Sequence, residues 1–186
     1  MVDKKYQAEI DDVNAKLPWQ MTPEKLEARK KLWPTFDNDG TGYLSLAKVD
    51  KGVRDMNLPE LFGLEPVTIR AFNAAKSKAK KKTKYSDDFV TKSEFHWLLK
   101  YLHIYFELWC AFEKLGTDID HRLDKTHFLG GKDMLVKWGV DMSDPEKVWK
   151  AVNPHRHVHV LFEEFADWAI KNHFIKDDTE DEGIHK

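Results

Sequence analysis

Oxygen-bearing groups recur at every second residue from Asp37 to Ser45, a spacing that can surround a hard cation. Two of these residues carry carboxylates, two carry hydroxyls, and one would use its backbone carbonyl. Gly42 lies among them and permits the sharp turn that such a loop needs. The segment therefore predicts a weak calcium site. Its candidate ligands are Asp37, Asp39, Thr41, Tyr43 and Ser45.

The whole segment Asp37–Lys48 matches the twelve-residue EF-hand loop at most positions. The exception is Lys48, which stands at position 12, where a bidentate glutamate normally completes the site. A cation thus replaces two carboxylate oxygens close to where Ca²⁺ would lie. Two interpretations follow: a weak calcium site, or a loop held by its own hydrogen bonds and by a bridge at Leu44.

The same loop pattern recurs four times, with starts at residues 37, 83, 116 and 153. Spacings of 46, 33 and 37 residues are typical of a helix-loop-helix array. Position 8 of each loop is aliphatic, which predicts that the loops pair through short β-bridges. These residues are Leu44, Val90, Leu123 and Val160.

The calcium ligands recur less faithfully than this framework. No loop has an acidic residue at both position 1 and position 12, because Thr83, Gly116 and Asn153 open the later three loops. In the fourth loop Val158 takes the place of the glycine. A β-branched residue resists a left-handed turn, so we expect that loop to have another shape.

The elements that position these loops are predicted to be helices. Thr22-Pro23 is a typical helix start, and Ser143–Glu146 has the form of a capping box. A helix over Val67–Ala79 should turn Ile69 and Phe72 inward, and Phe95–Leu115 carries long apolar stripes.

The predicted fold is all-α, with two lobes of paired EF-hand helix-loop-helix units. An N-terminal segment spans residues 1–20, and the first pair spans residues 21–103. The second pair spans residues 104–175, and an acidic flexible tail spans residues 176–186. Phe95–Leu115 links the two pairs.

Composition excludes several classes of protein. The 30 basic and 32 acidic residues give a net charge of −2, which argues against nucleic-acid binding. One cysteine excludes an internal disulfide framework and favours the cytoplasm. No stretch is long and apolar enough to span a membrane. Val2 stands where N-myristoylation needs glycine, so we expect no membrane anchor.

No catalytic motif is present. The chain lacks a phosphate-binding loop, a nucleophile elbow, a zinc-protease helix and a redox cysteine pair. We therefore expect no enzyme activity.

Two further stretches have alternative interpretations. His155, His157 and His159 alternate, and two of them with Glu164 could hold Zn²⁺ or Cu²⁺, although a solvated loop explains them more simply. Six lysines between Lys76 and Lys84 could contact an acidic partner or form a solvated helix end.

The sequence resembles the calflagins, the flagellar EF-hand proteins of trypanosomatids. The resemblance covers roughly residues 24–171 and is carried by segments such as LWPTFDNDGTGYL, DDFVTKSEFHWLLKYLHIYFELWCAFEKL and VLFEEFADWA. It implies two EF-hand lobes, a calcium-linked conformational change, and flagellar membrane attachment through an acylated N-terminus. Val2 and the incomplete ligand sets depart from the last two properties.

The residues predict a non-catalytic scaffold whose loops mostly cannot bind calcium. The resemblance to the calflagins implies a cilium or flagellum as its location and axonemal proteins as its partners. From the residues, its partners would be proteins, such as an amphipathic helix that enters the groove of a lobe. Alternatively, the groove is filled by the chain's own segment Met1–Gln20. The second function that the residues leave open is a weak calcium sensor or buffer that uses the 37–48 loop.

Overall fold

The computed structural model describes residues 4–79 and 88–172, and these are helical with two very short antiparallel strand pairs. The helices are α1 (Lys4–Lys16), α2 (Pro23–Phe36), α3 (Leu46–Asp55), α4 (Glu65–Ser77), α5 (Phe95–Lys114), α6 (Lys125–Gly130), α7 (Lys132–Lys137), α8 (Pro145–Val152) and α9 (Phe162–Lys171). A 3₁₀ turn covers Pro59–Leu61. The strands are β1 (Tyr43–Leu44), β2 (Val90–Thr91), β3 (Leu123–Asp124) and β4 (His159–Val160).

The chain divides into two compact units, with the boundary between Glu107 and Leu108. Unit 1 contains α1–α4 and the first strand pair, and unit 2 contains α6–α9 and the second. Helix α5 begins in unit 1 and ends in unit 2. Within the described residues, no helix has the length and apolarity needed to cross a bilayer.

The two strand pairs confirm the predicted bridges between loops. Leu44 pairs with Val90 in unit 1, and Leu123 pairs with Val160 in unit 2. All four side chains are fully buried. The aliphatic residues at position 8 therefore join each pair of loops through a bridge whose side chains are buried, although the neighbouring ligand positions differ between the loops.

Phenylalanines next to the loops form the centre of each core. Phe36 packs edge-on against Phe95 in unit 1 at 5.1 Å between ring centroids. In unit 2, Phe112 packs against Phe165 at 5.3 Å. Each of these rings is almost completely buried.

Helix boundaries agree with the sequence at α2 and differ by one residue at α8. Thr22 caps α2 by accepting the Lys25 backbone N–H, as predicted. The predicted capping box at Ser143 is wrong: Asp144 caps α8 and accepts the Lys147 N–H at 3.1 Å. Proline is favoured at the first helical position, so Pro145 places the cap directly before itself.

The predicted inner face of α4 is wrong at one residue. Phe72 is buried, but Ile69 is 41% exposed. The buried side of this helix contains Val67, Ala71 and Ala75, and Ile69 lies on the other side of the cylinder.

The N-terminal segment packs onto unit 1. Val13 and Leu17 are fully buried, and the Trp19 ring stacks on His103 of α5 at 4.8 Å. Arg29 of α2 donates to the Pro18 and Gln20 carbonyls at 2.8 and 2.6 Å. Side chains of this segment thus belong to the core of unit 1, and Met1–Asp3 lie outside the described residues. That the segment Met1–Gln20 fills a groove stays a prediction.

Candidate metal centre

Asp37 organises the first loop at the end of α2. Its carboxylate accepts the backbone N–H of Thr41 at 3.1 Å and that of Gly42 at 2.8 Å. Gly42 has a φ of 79°, a left-handed conformation that only glycine adopts without strain. The sharp turn predicted at this position is therefore present, and it brings the Gly42 backbone N–H within hydrogen-bonding distance of Asp37.

The Lys48 side chain lies among the candidate calcium ligands. It rises from the first turn of α3, and its Nζ contacts four oxygens of the loop. The distances are 3.0 Å to Asp37 Oδ1, 2.5 Å to Asp39 Oδ1, 2.6 Å to Thr41 Oγ1 and 2.8 Å to the Tyr43 carbonyl. Four of the five predicted ligands therefore surround an ammonium group that belongs to the chain.

Ser45, the fifth predicted ligand, has a different role. Its hydroxyl accepts the Lys48 backbone N–H at 3.3 Å and caps α3. In this conformation the Lys48 ammonium contacts four of the oxygens that a Ca²⁺ ion would need as ligands. That these five residues bind calcium stays a prediction, and the titrations below test it.

Charge pairing shifts the pKa values of the groups in this loop. Burial alone would raise the pKa of Asp37, but hydrogen bonds from Lys48, Gly42 and Thr41 lower it to about 2. The hydrogen bond from Lys48 also lowers the pKa of Asp39. Burial alone would lower the pKa of Lys48, but the two aspartates raise it. All three groups are therefore charged at neutral pH.

Acid should weaken this loop over a defined pH range. The Asp37 pKa is lower in the folded than in the unfolded chain, so its stabilisation is complete above about pH 4 and is lost as the pH falls toward 2. We expect Asp37→Asn to destabilise the protein at pH 6 and this deficit to shrink by about 1–2 kcal/mol at pH 2. Urea unfolding of both proteins at several pH values measures the difference; a deficit independent of pH would contradict the pairing.

In the second loop the carboxylate at ligand position 12 accepts hydrogen bonds from its own loop. Glu94, at position 12, is buried and accepts hydrogen bonds from the Thr91 backbone and hydroxyl and from the Ser93 hydroxyl. Its carboxylate therefore fixes the turn before α5. Thr83–Asp87, the first part of this loop, lies outside the described residues.

The third loop also contains an internal cation. Arg122 donates from Nε to Asp118 at 3.1 Å and from Nη2 to Asp120 at 2.6 Å. These aspartates occupy ligand positions 3 and 5. His121 replaces the glycine with a φ of 55°, and His127 Nδ1 lies 2.9 Å from Asp124.

The fourth loop is closed by a neutral side chain. Asn153 Nδ2 donates to the His157 carbonyl at 2.6 Å, and Asn153 Oδ1 accepts the His157 N–H at 2.8 Å. The left-handed residue is Arg156, with a φ of 57°, and not Val158. The loop therefore has another shape, as the β-branched residue predicted.

Replacing Asn153 by alanine should weaken unit 2. Asn153 is buried, and the change removes both hydrogen bonds and leaves the His157 backbone groups without this partner. We expect a loss of about 1–2 kcal/mol in the free energy of unfolding. Chemical denaturation measures it, with exposed Lys150→Ala on the preceding helix as the control, expected within about 0.5 kcal/mol of the wild type. Equal stability of the two variants would contradict this role for Asn153.

The histidine stretch does not form a recognisable metal site. His155 and His157 stack at 5.6 Å between ring centroids, and His157 Nδ1 lies 3.4 Å from Glu164. Across residues 4–79 and 88–172, no group of three or more His, Cys, Asp or Glu side chains is placed to hold a metal ion.

Sequence reasoning missed the roles of Arg122 and Asn153. A usable signal for Arg122 is its position in the loop, two residues after Asp120, the second of two acidic ligand positions. Asn153 differs from the usual aspartate at position 1 only by an amide, which can both donate and accept. A basic or amide residue inside a ligand set therefore indicates a loop whose polar groups are hydrogen-bonded by its own side chains.

Comparisons with known proteins agree with this framework. A family model described as the FCaBP EF-hand domain matches residues 13–102. A "Flagellar calcium-binding protein" of Trypanosoma cruzi is 30% identical over 156 residues, covering 82% of this chain and 74% of the relative. "Flagellar calcium-binding protein TB-17" of Trypanosoma brucei brucei is 29% identical, covering 91% and 75%.

Among solved structures, a homolog of programmed cell death 6 protein from Leishmania major Friedlin is similar, with 16% identity and a TM-score of 0.40. It covers 83% of this chain and 77% of that one. The family follows from the Trypanosoma cruzi relative, because the identity of 30% extends over about three quarters of the length of that protein. The chain belongs to the flagellar calcium-binding proteins, the calflagin family of EF-hand proteins, as its sequence predicted.

Proposed function

We propose that this protein is a non-catalytic, calcium-independent EF-hand scaffold that binds other proteins. The observation that carries the proposal is the position of Lys48 Nζ, within 3.0 Å of four ligand oxygens of the first loop. An ammonium tethered to the loop replaces the diffusible ion. The loop therefore keeps one conformation whether calcium is present or absent.

Charge and geometry both support calcium independence. Calcium would have to displace Lys48, yet it would gain no bidentate carboxylate at position 12 in return. Ligand charge and completeness tune EF-hand affinity over several orders of magnitude, so the loss of this glutamate is severe. Arg122 similarly pairs with the carboxylates at positions 3 and 5 of the third loop. In the fourth loop the position-1 side chain, Asn153, hydrogen-bonds the His157 backbone.

A scaffold role follows from the fixed loops. EF-hand sensors transmit a signal because ion binding changes the angle between the two helices of each unit. A loop that carries its own cation has no such change to transmit. The EF-hand pairs then serve as rigid protein-binding units, and the N-terminal segment covers part of unit 1.

The flagellum or cilium is the proposed location. The relatives named above are flagellar proteins by name. A weak calcium sensor or buffer is the function that our experiment must distinguish from this one.

Hydrogen exchange of the full chain tests the proposal. Backbone amide exchange is measured in 2 mM calcium and in excess chelator, with Lys48→Glu as the positive control for a calcium-sensitive loop. We expect wild-type exchange to be the same in both conditions across residues 37–48. Calcium-dependent protection in the wild type would establish a sensor and overturn the proposal.

A further inference from the structure

An apolar cleft lies on the surface of unit 1, between α2 and the start of α5. Leu26, Trp33 and Phe95 form much of its wall, and Met21 lies at its edge. Its volume is about 270 Å³. Leu26 is 45% exposed and Met21 is 68% exposed, so the cleft presents apolar surface to solvent.

A basic group lies inside this cleft and others surround it. Arg29 is only 6% exposed and lines the wall, and Lys30, Lys92 and His96 line the remainder. Lys30 pairs with Glu27 at 2.6 Å. Within the part of the chain that the structure describes, neither Arg29 nor Lys92 forms an ion pair with an acidic side chain.

Arg29 retains capacity for an anionic ligand. Its Nη1 donates to the carbonyls of Pro18 and Gln20, and its Nη2 makes a long contact of 3.7 Å with Met21 Sδ. A guanidinium has five N–H groups, and these contacts use three of them. A buried cation without a counter-charge is costly, so a carboxylate that enters the cleft would gain both a hydrogen bond and charge compensation.

We propose that this cleft binds an acidic peptide that inserts one large apolar side chain and places a carboxylate at Arg29. The inference rests on the proposed protein-binding function and names the chemistry of the partner. The apolar walls accept the inserted side chain, and Lys92 and Arg29 select against basic peptides. Aromatic and arginine groups in a shielded pocket are the usual anchors of such an interface.

Fluorescence anisotropy with the full chain tests this site. The probe is a fluorescein-labelled nonapeptide with one central phenylalanine flanked on both sides by glutamates. We expect saturable binding, at least about tenfold weaker when lysines replace the glutamates or serine replaces the phenylalanine, and weaker with added salt.

Surface variants locate the binding without disturbing the Arg29 contacts. Leu26→Glu should weaken binding at least about tenfold and Lys92→Glu about fivefold, whereas Lys51→Glu on α3 should leave it within about twofold. No saturable binding up to 1 mM protein, equal binding of the basic peptide, or no effect of Leu26→Glu would overturn the inference.

Calcium separates this inference from the proposed function. Binding that is equal in calcium and in chelator supports both. Binding that requires calcium supports the cleft and overturns the calcium-independent scaffold. If the peptide does not bind and hydrogen exchange is insensitive to calcium, only the inference about the cleft is overturned.

Discussion

Replacing Lys48 by glutamate is expected to turn the first loop into a calcium site. The change removes the ammonium that contacts Asp37 and Asp39 and supplies the bidentate carboxylate that position 12 normally provides. Gly42 already has the required left-handed turn. We expect the variant to bind calcium with a Kd below about 100 μM, at least about 100-fold tighter than the wild type. Isothermal titration calorimetry on chelator-treated protein measures both.

Lys51→Glu is the matched control for that experiment. It makes the same change in net charge on the same helix, but Lys51 pairs with Asp55 on the surface and lies away from the ligand set. We expect no calcium binding by this variant. If Lys48→Glu also failed to bind while remaining folded, Lys48 would not be the group that stands in place of the ion.

Replacing Lys48 by methionine is expected to destabilise the protein substantially. Methionine retains an unbranched apolar chain but removes the charge. The Asp37 side chain, which is only 4% exposed, then loses its cation, while Asp39 lies close by with the same sign of charge. Removing one partner of this partly buried pair leaves the buried Asp37 carboxylate without its cation, and we expect a loss of about 2 kcal/mol in the free energy of unfolding. Urea denaturation at pH 7 measures the loss.

Two comparisons identify the cause of that loss. Lys51→Met removes an exposed surface pair and should cost less than about 1 kcal/mol. The double variant Asp37→Asn with Lys48→Met should lose less than the sum of the single variants, since both changes remove one interaction. Additive losses, or equal costs at Lys48 and Lys51, would show that the internal pair contributes little.

The repeated framework could be predicted from sequence because it depends on single, well-defined residue requirements. An aliphatic residue at position 8 is enough to pair two loops, and Leu44 and Leu123 both meet that requirement. Gly42 likewise identified a turn that needs a left-handed residue. Such local rules survive when neighbouring ligand residues change.

Which side chains contact the ligand positions of the loops could not be predicted in the same way. Lysine has several rotatable bonds, so the presence of Lys48 at position 12 does not show whether its ammonium points into the loop or into water. The direction depends on two carboxylates that attract it and on α3, which Ser45 caps in the required orientation. The prediction that Ile69 points into the core was wrong, because the spacing of apolar residues alone does not show which residues lie at the centre of the buried face of α4.

The near-neutral charge of the chain agrees with internal cations. The net charge is −2, and Lys48 and Arg122 each lie against two aspartates of a ligand set. Each loop thereby balances part of its own negative charge. An EF-hand that relies on Ca²⁺ instead needs carboxylates that no side chain of the protein neutralises.

The most direct test of the internal cation is a calcium titration of the wild-type protein followed by nuclear magnetic resonance. The amide of Gly42, which donates to Asp37, and the ammonium of Lys48 report on the two sides of the loop. We predict that both signals stay unchanged up to 5 mM calcium and that the Lys48 ammonium remains protected from solvent exchange. A saturable shift of the Gly42 amide, together with release of the Lys48 ammonium to solvent, would contradict the account.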